Sequence, residues 1–541
     1  MDMDSEENLI LKLNKYVEML QSDFIERNNE AKLIAASIIT HEPLVMIGDP
    51  GTAKSSIAEK ASSLIGIPKE EEENLSNYLN EVLNLNTNKK ITKPKMISDI
   101  TNKVNSYYGN TEDYRDIVKD IFKVYKLWTS DQDKRSELIK ELITLASNNY
   151  FFYQLNKNTD ISELVGSPDL EELLKGRQET FKNHSIISSN IVILDEIYKS
   201  SGSIRNSLLS IMNERYFSMD GKRVDSHVWS IIGTSNEIDE SEEAEAFNDR
   251  FTFKVFVSTV SKENTNKLFV TRKGKKVSKM HVITNLDLIN INKFLNQIVN
   301  EKKEKFETIK GQDEEINTYK KMEELVERCE EKHILVSDRK KTKLINLMCI
   351  NAILEGRTNL TDSDINILEY VIPHNKEELG TVHKLIGLVT LSKEEVNNEL
   401  NRIKEGISSY EEELHKFELE KDKSILKQVE NKIINKSQLL RKIDYYKWLY
   451  DDGDDEDCKK IVESCEYIIK AYDEMVKHYE TLSDNKVEQK IEQDNNIGEI
   501  IVPKVINKPN SGDVDLNLKN KIRNTPIIDK DTKKRILKSL M

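Results

Sequence analysis

The chain has 541 residues, enough for several domains and a large buried core. It carries a net charge of −14 with 33% charged residues, and its 81 lysines and arginines are interleaved with acids rather than clustered. That balance argues against a general surface for nucleic acid or other polyanions, though a local basic pore remains compatible with it. No apolar run reaches the roughly 18 residues a membrane-spanning helix needs. The acidic start, Met1 to Glu7, is unlike a signal peptide. The four cysteines (Cys329, Cys349, Cys458, Cys465) form no close Cys-x-x-Cys pair. They read as free thiols in helices, not a disulfide or zinc framework, and the expected location is cytoplasmic.

From Leu9 to Ile39 the pattern predicts two amphipathic helices, followed by the apolar strand Leu44-Val45-Met46-Ile47. The next run, Gly48-Asp49-Pro50-Gly51-Thr52-Ala53-Lys54-Ser55, precedes a helix-compatible segment. Strand, glycine-bearing loop and Lys-Ser at a helix start is the context of a phosphate-binding loop. Backbone N–H groups and the helix N-terminus face the phosphates, Lys54 reaches the β/γ-phosphates and Ser55 meets Mg²⁺. Ala53 stands where the usual pattern has glycine, so the turn must tolerate a Cβ.

A polar, helix-patterned insertion of about Lys69 to Asn149 follows, with a local decoration or a partner-docking module as its two readings, and then a second strand near Tyr150–Leu155. Ile191-Val192-Ile193-Leu194-Asp195-Glu196 reads as a buried strand delivering two carboxylates beside the loop. Asp195 is expected to hold Mg²⁺ and Glu196 to orient and deprotonate the attacking water. The alternative, a surface Asp-Glu pair capping a helix, is disfavoured by the phosphate loop upstream. Val228 to Asn236 is a further apolar strand, with Asn236 at its tip placed to hold the water or touch the γ-phosphate. Phe247-Asn248-Asp249-Arg250-Phe251 sets an arginine at a helix end, where it can stabilise phosphoryl-transfer charge or simply pair with an aspartate.

The order of these motifs, with Leu194 to Lys199, Asn206 to Arg215, Thr234 to Glu237 and Val336-Ser337-Asp338-Arg339-Lys340, resembles the MoxR branch of AAA+ ATPases, and within it the RavA subgroup. The likeness covers about residues 6–68 and 149–390, and the Ala-Lys-Ser form of the loop is usual in that branch. It implies an α/β fold: a P-loop AAA+ parallel sheet in the order 5-1-4-3-2 with a helical lid. It implies ATP and Mg²⁺ as cofactors, and a site in which Gly48 to Ser55 and Asp195 bind nucleotide and metal. Glu196 becomes the Walker B base, Asn236 sensor 1, Arg250 the arginine finger and Arg339 sensor 2. Arg205 and Arg215 are the other arginines considered for action across a subunit boundary. The likeness further implies a hexameric ring that remodels or chaperones a protein client, often with a von Willebrand factor A domain partner. Residues 176–189 look like the helix-2 hairpin of the branch and Gly221-Lys222-Arg223 like its pre-sensor-1 hairpin. Two ordinary surface hairpins are the alternative.

The domains so drawn are 1–258 for the nucleotide-binding part, with its insertion at about 69–149, and 259–378 for the lid. Residues 379–484 form a C-terminal helical bundle, and 485–541 a linker with a short terminal helix. The bundle is read from two heptad stripes, Val396-Leu400-Ile403-Ile407-Tyr410-Leu414-Phe417 and Ile461-Cys465-Ile468-Tyr472-Met475-Tyr479-Leu482. A less regular third helix, through Leu426, Val429, Ile433, Leu440 and Ile443, lies between them. The basic run Thr271 to Lys276 reads as a solvated turn. Three other functions compete with this one: a nucleic-acid motor, which the acidic charge opposes; a nucleotide-locked scaffold, which an intact Glu196 opposes; and a magnesium-chelatase-like subunit.

Overall fold

The computed structural model describes residues 3–482 apart from 89, 109–114, 125–131, 148–149, 167–184, 220–221, 263, 271–280, 309–312, 421–423, 425–428, 430–435 and 454. Most of the expected hairpin at 176–189 therefore lies outside the described residues, as do Gly221, Leu426, Ile433, the turn at 271–276, the linker and the terminal helix.

The strands are β1 (Leu44–Gly48), β2 (Tyr150–Gln154), β3 (Ile191–Asp195), β4 (Tyr216–Met219), β5 (Lys222–Asp225), β6 (Ser230–Ser235) and β7 (Phe253–Val257). Five of them form one parallel sheet in the order β2-β3-β6-β1-β7. Numbering only the sheet strands, this is the expected order 5-1-4-3-2. β4 and β5 form a separate antiparallel hairpin, Tyr216 opposite Asp225, immediately ahead of β6. β1 and β3 read as nearly unbroken apolar runs because both faces are covered, whereas the edge strand β2 leaves Tyr150 and Phe152 exposed. Successive residues of β1 alternate between two cores: Leu44 and Met46 face one, Val45 and Ile47 the other.

The first core also takes in the helices Met3–Ser22, Asn28–Thr40 and Lys54–Ser63. The second is closed by the helix Gly202–Glu214 and by Phe247 and Phe251. The described residues of the insertion include the α-helices Lys69–Thr87, Lys93–Asn105, Arg115–Val124 and Gln132–Ser147. Leu75, Leu79, Met96, Ile100, Ile121 and Leu142 join the first core without a break. Ser147 ties its far end down: its hydroxyl accepts from the Ile67 N–H (3.0 Å) and its carbonyl from Asn285 (2.9 Å). The insertion is thus packed into the module, not tethered to it.

The lid comprises the helices Asn285–Thr308, Glu314–Glu331, Leu344–Leu354 and Lys376–Thr390, with a short helix Asp338–Lys341 at its junction with the sheet. Beyond it, the described residues form three long bundle helices, Lys393–Glu420, Lys436–Tyr450 and Glu456–Leu482. The first and third run parallel: Lys393 meets Asp455, Lys404 meets Ser464 and Glu418 meets His478. The middle one runs against them, since Lys442 meets Glu399 while Tyr450 reaches back to Leu391. The two heptad stripes form the shared seam, with Leu400, Leu414, Ile461, Ile468 and Met475 at 0–1% exposure. The bundle packs closely on the lid at Gly387, where an added Cβ would sit 2.4 Å from the Tyr445 hydroxyl. All four cysteines are free, buried and helical.

Candidate active site

β1 ends at Gly48, pressed against the neighbouring strand. A Cβ there would lie 2.2 Å from the Val257 carbonyl oxygen, so no side chain fits. The loop then turns twice through left-handed backbone, at Gly51 (φ 82°) and Ala53 (φ 66°). Gly51 adopts this freely, whereas Ala53 does so at a cost of order 1 kcal/mol. Ala53 is the residue immediately before the helix Lys54–Ser63. The strain is the answer to the missing glycine: the turn keeps its shape with a methyl group in place.

Arg27, which no sequence motif singles out, braces the loop from below. It is 5% exposed and donates to the Thr52 carbonyl (3.1 Å) and to Ser258 O (2.7 Å) just past β7. Its only local signal is a lone cation between two apolar-patterned helices.

The three sequence motifs converge at the carboxyl ends of β1, β3 and β6. Ser55 Oγ donates to Asp195 Oδ1 at 3.0 Å, joining the loop to β3. Lys54 Nζ donates to the Gly48 and Asp49 carbonyls (2.6 and 2.9 Å) and to Asn236 Oδ1 (3.3 Å). Asn236 in turn donates to Glu196 Oε1 at 2.8 Å. A continuous polar chain therefore runs Lys54–Asn236–Glu196. Thr234, on β6, donates to the same Asp195 oxygen as Ser55. It follows from the register: Leu194 pairs with Gly233, which sets Asp195 beside Thr234.

Glu196 sits at φ 55°, left-handed and non-glycine, a placement that turns its carboxylate off the strand line. One oxygen pairs with Lys199 (3.1 Å) and Asn236; the other, Oε2, is buried with no hydrogen-bond partner among the described residues. Burial pulls the Lys54 ammonium below its ordinary range, opposed by the charges of Glu196, Asp195 and Asp49.

Arg250 and Arg339 form a second centre where the sheet meets the lid. They flank one carboxylate, that of Asp249, at 3.6 and 4.0 Å, and Ser337 Oγ donates to its other oxygen (3.1 Å). Among the described residues, Arg250 Nε and Arg339 Nη1 are buried without a hydrogen-bond partner. Two guanidiniums thus share one anion, leaving an excess positive charge and free donors. Burial and the neighbouring Arg339 both lower the Arg250 pKa. Among the described residues, no hydrogen bond or ion pair links this centre to Lys54, Asp195 or Glu196. Arg205 and Arg215 are engaged inside the protomer: Arg205 with Asp239 (2.6 Å) and Tyr198 O, and Arg215 with the Val228 and His41 carbonyls.

Residues 11–81 and 129–296 match a family model described as the MoxR domain in the MoxR-vWA-beta-propeller ternary systems, and residues 316–386 match an AAA lid domain. The first match passes over residues 82–128, within the insertion. Two uncharacterised proteins of Methanocaldococcus jannaschii, MJ0079 and MJ0812, are each 28% identical, over 47% and 46% of this chain and 63% and 62% of their own lengths. The chain therefore spans about three fifths of either relative. A structural protein of Acidianus two-tailed virus, ORF618, is 28% identical over 30% of this chain and 28% of its own. A crystal structure from Cytophaga hutchinsonii, described only as a proposed ATPase, aligns at 14% identity with a TM-score of 0.45, over 72% of this chain and 99% of that one.

Proposed function

We propose that this chain, a MoxR-type AAA+ ATPase by the domains it carries, hydrolyses ATP at a site shared between neighbouring subunits of a ring and uses the energy to remodel a protein client. The observation that carries the reading is the joining of the phosphate loop to two acid-bearing strands: Ser55 on Asp195, and Lys54 through Asn236 to Glu196.

The residues present fit a Mg²⁺-nucleotide. Gly48 brings β1 close against β7, and the left-handed turns at Gly51 and Ala53 lead into the N-terminus of the helix Lys54–Ser63, whose free N–H groups suit phosphate. Ser55 and Asp195, already within hydrogen-bond reach, would hold Mg²⁺, an arrangement in which Thr234 orients the carboxylate. Lys54 exchanges its loop carbonyls for phosphate oxygens. Mg²⁺, when bound, neutralises charge developing on the phosphates.

Glu196 then takes the proton of the attacking water. Its unpartnered buried oxygen is the acceptor and Asn236 fixes the carboxylate's orientation. Arg250, on the sheet's lid side, serves the neighbouring subunit's phosphates as the arginine finger. Arg339 carries the lid toward its own subunit's nucleotide as sensor 2. The excess positive charge around Asp249 supports this pair of roles. A von Willebrand factor A domain protein is the proposed partner, in line with the systems named by the matched family. The β4–β5 hairpin is the proposed pore-facing element and the location is the cytoplasm.

The test is phosphate release per subunit against protein concentration, for wild type and Glu196→Gln. Specific activity should rise cooperatively with concentration, and the variant should lose about 10²–10⁴-fold in turnover while retaining ATP. Equal inactivity of both proteins, with ATP bound, would favour the nucleotide-locked scaffold.

A further inference from the structure

At the end of the bundle farthest from the lid, three side chains converge that the ATPase reading does not use. His415 and Glu418 lie three positions apart on the first bundle helix, hence on one face. His478 comes from the parallel third helix. His415 Nδ1 is 3.1 Å from Glu418 Oε2, and His478 Nε2 is 3.2 Å from Glu418 Oε1. The two imidazole rings stand 5.1 Å apart, centre to centre. One ligand atom from each of the three side chains can be chosen so that all lie within 4.8 Å of one another.

We propose that His415, Glu418 and His478 form a binding site for a divalent transition metal of the zinc class. Two imidazoles and a carboxylate are a common donor set for such an ion, with a water as fourth ligand. Tetrahedral coordination with bonds of roughly 2.0–2.2 Å needs donor atoms about 3.3 Å apart. Each histidine nitrogen already lies at about that distance from Glu418, but from a different oxygen, so the carboxylate must turn one oxygen toward both and the His–His edge must close. The side chains are graded in exposure, His415 67%, Glu418 42% and His478 24%, which leaves an open side for entry and for the water.

Leu414, Met475 and Tyr479, each within one turn of a cluster residue along its helix, are buried in the bundle seam. Nitrogen donors select against Mg²⁺, the ion of the nucleotide site. A bound ion would clamp the first and third helices together where the described part of each ends, at Glu420 and Leu482.

The experiment uses the full chain, stripped with a chelator and titrated with Zn²⁺ against a chromophoric competitor in excess Mg²⁺ without nucleotide. Wild type should take up one Zn²⁺ per chain that His415→Ala and His478→Ala each weaken by more than about tenfold. Zn²⁺ should also raise the bundle's unfolding midpoint in wild type and not in the variants. His415→Ala guards against misfolding as an explanation, since His415 is the most exposed of the three. Uptake that survives both substitutions, or absence of uptake in wild type, overturns the proposal and leaves a carboxylate that accepts from two histidines. Phosphate release by either variant should match wild type, which separates failure here from failure of the ATPase reading.

Discussion

The nucleotide module and the C-terminal bundle are both built from regular elements, yet they keep their polar groups in opposite places. In the module, polar side chains are drawn inward to the carboxyl ends of the strands, where Lys54, Ser55, Asp195, Glu196, Thr234 and Asn236 bond to one another. In the bundle, the interior is apolar apart from thiols and tyrosines, and the ion pairs lie on the outside: Lys447–Glu466 and Lys393–Asp455 have side chains 34–57% exposed. A parallel sheet aims backbone and side chains at one edge, so chemistry collects there. A helical bundle distributes its polar faces around the perimeter, and the heptad constrains only what is buried. Damage should therefore abolish function in the first region and only stability in the second.

The largest expected effect sharpens this contrast at the seam of sheet and lid. Arg250→Ala should spare nucleotide binding and lower ATP turnover by about 10³–10⁵-fold, the range for loss of an arginine finger. Mixing Arg250→Ala subunits with Glu196→Gln subunits should restore part of the turnover, because some interfaces then pair an intact arginine with an intact carboxylate. An absence of recovery across mixing ratios, with mixed assembly verified, would confine Arg250 to its own subunit and to its pairing with Asp249.

The complementary test lies in the bundle. Ile461 is fully buried in the seam. Ile461→Ala should cost about 2–5 kcal/mol of bundle stability by deleting packed methyl groups. Phosphate release per assembled subunit should stay at the wild-type level while the bundle melts earlier. If turnover falls in step with bundle stability, the two regions are energetically one, and the contact through Gly387 and Tyr445 is the place to look for the coupling.

These two regions were also legible to different degrees. The meeting of three motifs follows from apolar runs that end in fixed polar residues, whereas the sheet order is implied only by the family resemblance those motifs carry. The heptad stripes of the bundle place their residues in its core, from Val396 to Phe417 and Ile461 to Tyr479. What the sequence hid were contacts made across long separations. Arg27 reaches the loop through carbonyl groups, which have no sequence signature. Thr234 matters only because register sets it beside Asp195. The insertion reads as polar, but its apolar residues face the first core, so its integration into the module is a tertiary fact. His415 and His478 are 63 positions apart and meet only once the direction and register of two helices are known.

The smallest expected effect concerns a buried pair that neither motif nor heptad foretold. Lys254 on β7 and Lys340 in the short lid helix are each 1% exposed and donate to adjacent carbonyls, Pro373 O (3.5 Å) and Ile372 O (3.1 Å). Burial lowers the Lys340 pKa from 10.5 to about 8. Lys254 is also pushed well down, first by burial and then by Lys340. Asp249 and Glu378 face both ammonium groups and favour their charge, and His374 adjoins them.

A base whose folded pKa is lowered binds fewer protons folded than unfolded over the interval between the two values. The resulting penalty is therefore full below about pH 8 and relieved as pH rises toward 10.5. Lys340→Met keeps the length and removes the charge. It should stabilise the lid seam near pH 7 by up to about 3 kcal/mol, less the lost hydrogen bond to Ile372 O. That advantage should shrink between pH 8 and 9.5, where denaturant unfolding of the two proteins is best compared, before buried tyrosines such as Tyr16 begin to titrate in the unfolded chain. A difference that stays constant across that interval would mean that Asp249 and Glu378 hold Lys340 charged in the folded seam. The sheet–lid junction would then be an ion cluster like that around Arg250 and Arg339, and not a desolvated contact.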